Sequence, residues 1–388
     1  MKKALLSLAT ITALAGSLSA ASVTLYQDPD TGAIYTKPGE GRIKLGEFVS
    51  KEELKKTIRK DIKSELGVKV KSGVPTLKFS GTHYIGYTFT DDRTEADADT
   101  SRFETRRNYF QVKAYWNDTD YLRTTLDTFQ DADGSWLVRL KYAYIYLDLA
   151  DYIPYTGVEF GQAHRPWIDW EEHHGWLYRS IAKTFVEEHN GAHLTNSADL
   201  GVNFKTKTDY FSSEIGLYNG EGYHGKQKGT NMSFEWRLTA NVLGTGKKHV
   251  HATEDEYLDI SFLGQLNDGY KGGEDLNWYG IHAVYNRPMF LLAGMYYDAD
   301  NNGESHEGNG YSFNGEFRPA DKWAILGRYD HWTDESGDED VDRDEIIGGV
   351  AYTYNKNVKF IVNAFDIDVD EEDGTDETKY MFTTEVHW

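Results

Sequence analysis

Residues Lys379–Trp388 read KYMFTTEVHW and alternate apolar with polar side chains up to the final aromatic. Tyr380, Phe382, Val386 and Trp388 share one face with Thr384, while Lys379, Thr383, Glu385 and His387 share the other. Successive side chains of a strand point to opposite faces, so this segment touches an apolar medium on one side and water on the other. A strand of this kind that stops on an aromatic has the form of the closing strand of an outer-membrane β-barrel, whose aromatics sit at the membrane interface. One such strand is weak evidence, and its weight comes from repetition.

From Thr76 onward sixteen segments alternate in this way, the first near 77–90 and the last at 378–388. The one-face apolar sets are plainest in Phe110/Val112/Ala114/Trp116, Val138/Leu140/Tyr142/Tyr144/Tyr146, Phe234/Trp236/Leu238/Ala240/Val242 and Val358/Phe360/Val362/Ala364. Their lengths are about those of tilted strands that cross a bilayer. The connections alternate too. Asn117–Thr119, Asn286–Pro288, Arg318–Asp321 and Asn355–Asn357 are short, whereas 91–100, 219–231, 298–309, 334–344 and 366–377 are long and acidic. Short turns at one end, long loops at the other and an even strand number predict an all-β, 16-stranded antiparallel transmembrane β-barrel over 75–388, with Trp388 at the periplasmic rim.

The N-terminus begins Met1-Lys2-Lys3, continues with an apolar run to Leu18 and reaches the small residues Ser19, Ala20 and Ala21, the order of a secretory signal peptide over 1–21. Its removal takes away two lysines and no acid, moving the net charge from -22 to -24. No later stretch approaches the roughly 20 apolar residues of a membrane helix, so a membrane-spanning form must be a closed barrel. Cysteine is absent, which excludes disulfide staples and thiolate chemistry. Residues 22–74 stand outside the repeat as a small N-terminal periplasmic segment. Two alternating runs around the turn signal Asp28-Pro29-Asp30-Thr31-Gly32 predict a hairpin, and Leu54, Ile58, Ile62 and Leu66 predict a helix over 50–66, read as a spacer or an assembly helix.

One segment breaks the pattern. Ala163–Asn196 carries Arg165, Trp167, Asp169, Trp170, Glu171, Glu172, His173, His174, Trp176, Arg179, Lys183, Glu187 and Glu188, more aromatic and charged weight than a surface loop needs. Long loops without strand character commonly carry function, and this one is expected to fold into the barrel as its constriction. Its candidate constriction residues are Arg165, Asp169, Glu171, Glu172, His173, His174 and Arg179.

The chain resembles the phosphate-selective porin O and P family. The resemblance rests on Arg106-Arg107 entering an early strand, Tyr121 to Asp127 after a short turn, Val158-Glu159-Phe160-Gly161-Gln162 with Pro166, and Arg179-Ser180 closing a loop. It implies a sixteen-stranded, trimeric, passive channel in the bacterial outer membrane, with membrane lipid and lipopolysaccharide around it and small solutes and ions inside. The stretch after Pro166 departs from the family, being acidic and His-rich where an anion filter wants bases.

If the apolar faces point to lipid, Arg107, Lys113, Arg123, Arg139 and Lys141, with Asp127 among them, form a mostly basic lumen wall that attracts anions. Elsewhere Lys205, Arg237, Arg328 and Lys359 alternate with Glu159, Glu214, Glu235, Glu316 and Asp330, a mixture that also suits charges simply pairing with one another. Neither enzyme nor nucleic-acid chemistry is expected, and no cofactor or metal. Glu171-Glu172-His173-His174 lacks the His-Glu-x-x-His spacing that puts two imidazoles on one helix face, and no Gly-x-Ser-x-Gly elbow occurs. The competing class is a secreted, β-rich protein that binds or cleaves carbohydrate.

Overall fold

A computed structural model describes residues 23–48 and 75–388, except 30, 95–97, 132, 229, 245–246, 248–249, 272, 302–305 and 372–375. The expected signal peptide and the helix over 50–66 lie outside the described residues. The chain divides into two compact units, Met1–Val74 and Pro75–Trp388.

In the first unit, β1 (Val23–Gln27) pairs antiparallel with β2 (Ile34–Tyr35) and with β3 (Ile43–Phe48). The expected hairpin is therefore two strands of a three-stranded sheet.

The second unit is a closed antiparallel barrel of sixteen strands. They are β4 (Thr76–Asp92), β5 (Thr100–Tyr115), β6 (Tyr121–Gln130), β7 (Trp136–Asp148), β8 (Thr156–His164), β9 (Ala198–Lys207), β10 (Phe211–Tyr218), β11 (Ser233–Asn241) and β12 (Tyr257–Leu266), followed by β15 (Trp278–Arg287), β16 (Phe290–Ala299), β17 (Gly308–Ala320), β18 (Trp323–Asp334), β19 (Val341–Asn355), β20 (Val358–Val369) and β21 (Glu377–His387). Two short strands, β13 (Asp268–Tyr270) and β14 (Glu274–Asp275), form a hairpin in the connection between β12 and β15. Closure joins β21 to β4, with Glu385 opposite Tyr84 and His387 opposite Thr82.

The two-residue period sorts the side chains. Phe160, Leu292, Phe313 and Val362 face outward and are 58–62% exposed, whereas Asn203, Gln265, Ser312 and Thr383 on the inner face are fully buried. An apolar band outside and polar groups within is the inverse of a soluble sandwich, and it suits a wall with lipid on one side. No described helix is long and apolar enough to cross a membrane.

Two β-bulges decide what lines the lumen, since an extra residue on one strand sends two neighbours to the same face. In β5, Arg107 lies opposite Tyr84 and Thr105 opposite Ile85, so Arg106 is the extra residue, and both arginines turn inward. In β7, Leu140 pairs with Leu126 and Tyr142 with Thr125, so Lys141 is the extra residue. The expectation that Val138, Leu140, Tyr142, Tyr144 and Tyr146 share one face is thereby corrected. Val138 and Leu140 are exposed outside, while Tyr142 and Tyr144 are buried inside with Lys141. The end carrying the short turns also differs from expectation at one point, because 242–256 between β11 and β12 is a long connection.

Candidate functional site: the lumen and its inserted loop

The segment between β8 and β9 folds into the barrel. It contains one helix, α1 (Ile168–His174), whose spacing gives it two faces. Residues three and four apart are neighbours on a helix surface, so Asp169, Glu172 and His173 share one side, and Trp167, Trp170, Glu171 and His174 the other. The second side is buried against the inner wall, where Trp167, Ile168 and Trp170 join Tyr257, Leu263, Trp278 and Tyr297 in one apolar cluster. Trp170 stacks on His174 with ring centroids 4.3 Å apart. Farther along, Trp176, Tyr178 and Ile181 pack on Leu326, Ile347, Ile361 and Phe365 in a second cluster. Burying this much aromatic surface contributes about 1.5–3 kcal/mol per large side chain, which orders a loop that would otherwise sample solvent.

Hydrogen bonds fix the segment to strands around the barrel. Tyr257 donates its hydroxyl to the His174 carbonyl at 2.8 Å, and Asn314 donates to the Gly175 carbonyl at 2.8 Å. Arg106 donates to the Ser180 carbonyl at 3.1 Å, and Ser180 donates to Glu385 at 2.6 Å. At the loop's start Arg165, 3% exposed, donates to Glu235 through Nε at 2.8 Å and to Gln265 through Nη2 at 2.6 Å.

The structure thus separates the seven candidate loop residues. Asp169, Glu172, His173 and Arg179 lie on the side that meets the basic wall, whereas Arg165, Glu171 and His174 are held against the opposite wall. Arg179 reaches Glu187 at 2.6 Å and Glu172 at 3.2 Å. Burial drives Glu171 up to about 8, against the pull of Arg328. Burial likewise drives His174 down to about 3, leaving it a neutral packing residue. Asp169 behaves oppositely. Burial opposes its charge, but His164, His173, Lys205 and Arg123 outweigh that and hold its carboxyl below the usual range. Asp169 in turn raises His173. Burial also opposes the charge of Glu187, yet Arg179 and Lys141 hold it down at about 2.

Facing α1 is the wall built from β5 to β9. Its charged groups fall into two kinds. Arg139 is paired with Asp127 at 2.7 Å, Lys141 donates to Ser197, and Lys205 lies 3.2 Å from Glu214 and 3.5 Å from Glu159. Arg107, Lys113 and Arg123 have no carboxylate within ion-pair distance among the described residues. They rest on aromatic rings instead: Arg107 over Tyr109 at 4.6 Å and Tyr84 at 5.0 Å, Lys113 over Tyr121 at 4.8 Å, and Arg123 over Tyr142 at 4.4 Å. A cation over a ring face is attracted by the quadrupole without being neutralised. The far wall differs, since Arg237 meets Glu214, Arg318 meets Glu316 and Arg328 meets Asp330. Positive charge left open to solute is therefore concentrated on β5 and β6, across from Asp169 and Glu172.

Sequence reasoning missed the tyrosines. Tyr142, Tyr144 and Tyr146 read as lipid-facing because the bulge at Lys141 leaves no mark in the alternation. Arg139 and Lys141 stand two apart, a spacing that unbroken alternation also gives, so the sequence carried no signal of the bulge.

No family model matches the sequence, and no curated protein matches it. Among solved structures the barrel is similar to an anion-selective porin from Comamonas acidovorans, with a TM-score of 0.58 at 11% identity, covering 81% of this chain and 99% of that one. It is similar to OprB of Pseudomonas putida, with a TM-score of 0.57 at 10% identity, covering 85% and 96%. The trimer form of OmpT, an outer membrane protein of Vibrio cholerae, gives 0.55 at 13% identity, covering 81% and 100%. The fold is that of the bacterial outer-membrane porins. At these identities the likeness concerns the path of the chain and leaves the lumen chemistry to be argued from this sequence.

Proposed function

We propose that the protein is an outer-membrane porin, a water-filled channel for passive diffusion of small polar solutes and ions with a preference for anions. The observation that carries this reading is the set Arg107, Lys113 and Arg123, unpaired inside a closed barrel and facing an inserted loop. Side chains that hold charge open across a constriction raise the local concentration of counter-ions and ease their entry. The segment 163–196 acts as the constriction through Asp169, Glu172, His173 and Arg179, while Arg165, Glu171 and His174 hold it in place. Acid on the loop and base on the wall set up a transverse field, so the anion preference is moderate. The apolar outer band contacts membrane lipid and lipopolysaccharide, and the assembly is a homotrimer. Arg106-Arg107, Gly161-Gln162 and Arg179-Ser180 favour descent within the phosphate-selective porin O and P group. The acids facing the bases argue against carrying over that group's phosphate preference.

The protein has no enzymatic role in this reading. A secreted carbohydrate-binding protein is disfavoured, because a soluble protein rarely surrounds itself with a continuous apolar band. Detergent extraction followed by gel electrophoresis with and without boiling, then reconstitution into planar bilayers, tests the proposal. A folded band that shifts on heating and produces stepwise conductance supports it. A soluble protein that shows no band shift and forms no channels overturns it.

A further inference from the structure

Resting on the channel reading, we infer that the lumen is a track for planar organic anions, small carboxylates attached to a flat conjugated ring, in preference to inorganic anions such as phosphate.

The inference comes from strand register. Lys78 lies directly opposite Lys113, and Lys113 directly opposite Arg123, so three cations form one row across β4, β5 and β6. Like charges opposed across strands destabilise a sheet. For Lys113 and Arg123 no carboxylate lies within ion-pair distance among the described residues, and Asp169 acts on them only from farther off, so the row keeps room for an anion from solution. Two residues nearer the short-turn end lies a second row, in which Tyr115 faces Tyr121 and Tyr121 faces Tyr146. The ring centroids are 5.0 Å and 5.1 Å apart, and all three tyrosines are half-buried at the lumen surface. Residues two apart on a strand are separated by roughly 7 Å, the span of one small aromatic acid. Its carboxylate can meet the row of bases while its ring meets the row of tyrosines.

The same pairing recurs toward the other end. Arg107 lies between Tyr84 and Tyr109. A solute thus meets base and ring together at successive depths. Phosphate gains from the bases alone, and it must give up a tightly held hydration shell to use them. A planar carboxylate is less strongly hydrated at its ring, and it gains from stacking as well.

The test is solute block of the open channel in planar bilayers, with benzoate, cyclohexanecarboxylate and phosphate added to one side in turn. Cyclohexanecarboxylate matches benzoate in charge and size but has no aromatic face. Benzoate is expected to halve the current at a concentration roughly threefold to tenfold below either comparator. Tyr109→Leu and Tyr121→Leu should each raise that concentration severalfold more for benzoate than for phosphate, and be rescued by phenylalanine at the same position. Equal or stronger block by phosphate or cyclohexanecarboxylate in the unaltered protein overturns the inference while leaving the channel reading intact, and that comparison needs no variant to fold. Leucine variants that keep the full benzoate effect also overturn it. A barrel that inserts without carrying any current overturns the channel reading, and this inference with it.

Discussion

Replacing Arg165 with methionine should loosen the constriction loop at its root. Arg165 is 3% exposed and Glu235 4% exposed, and among the described residues the arginine is the one cation bonded to that carboxylate. Methionine fills most of the volume but donates nothing. Glu235 would keep the Ser233 hydroxyl at 2.8 Å, and Gln265 would lose its contact with the guanidinium. Removing one partner of a buried ion pair costs about 3–5 kcal/mol, because the other charge stays uncompensated. That cost falls on the start of the inserted segment, so the loop should shift before the barrel opens. The temperature at which the folded gel band disappears should fall by several degrees. Single-channel conductance should rise and become noisier. The double variant Arg165→Met/Glu235→Leu removes the stranded charge along with its partner and should recover most of the loss, a coupling that a double-mutant cycle measures directly. If Arg165→Met melts and conducts like the unaltered protein, the pair does not anchor the loop.

Three further outcomes follow from the lumen. Glu171 titrates at about 8 in the folded chain against 4.5 when free, so between those values the folded state holds a proton that the unfolded state has lost. The stability that Glu171 contributes is then greatest below pH 4.5 and falls as pH rises toward 8, and Glu171→Gln should flatten this part of the profile of heat-modifiable migration against pH; parallel profiles would contradict it. Asp169→Asn with Glu172→Gln removes the acids facing the basic wall and should increase anion preference in reversal-potential measurements, whereas no change would place those acids outside the ion path. Anion preference should also weaken with salt, because the screening length shrinks from about 10 Å at 0.1 M to about 3 Å at 1 M; a preference constant over that range would point to selection by size.

The barrel was legible because its signal is local and repeated. Alternations such as Val358/Phe360/Val362 need only the two-residue period of a strand, and lipid on the outside leaves that period visible. The bulges at Arg106 and Lys141 were not legible, since one extra residue changes the face of its neighbours without changing the kind of residue present. That is how Tyr142 and Tyr144, two of the rings beneath Arg123, were read as lipid contacts. The two sides of α1 could have been found, because Asp169, Glu172 and His173 stand at helical spacing within a segment that has no strand pattern. The partners of the loop charges could not. Arg165 meets Glu235 seventy residues away, and only the closed barrel brings strand β11 to it.

The central claim is that unpaired bases on β5 and β6 make this barrel an anion-preferring diffusion channel. A reversal potential across a planar bilayer under a tenfold potassium chloride gradient tests it most directly, with the unaltered protein beside Arg107→Ala/Lys113→Ala/Arg123→Ala. The unaltered protein should give a potential on the chloride side of zero that collapses to zero or changes sign in the triple variant. A potential on the potassium side in the unaltered protein, or a chloride preference that survives loss of all three bases, would contradict it.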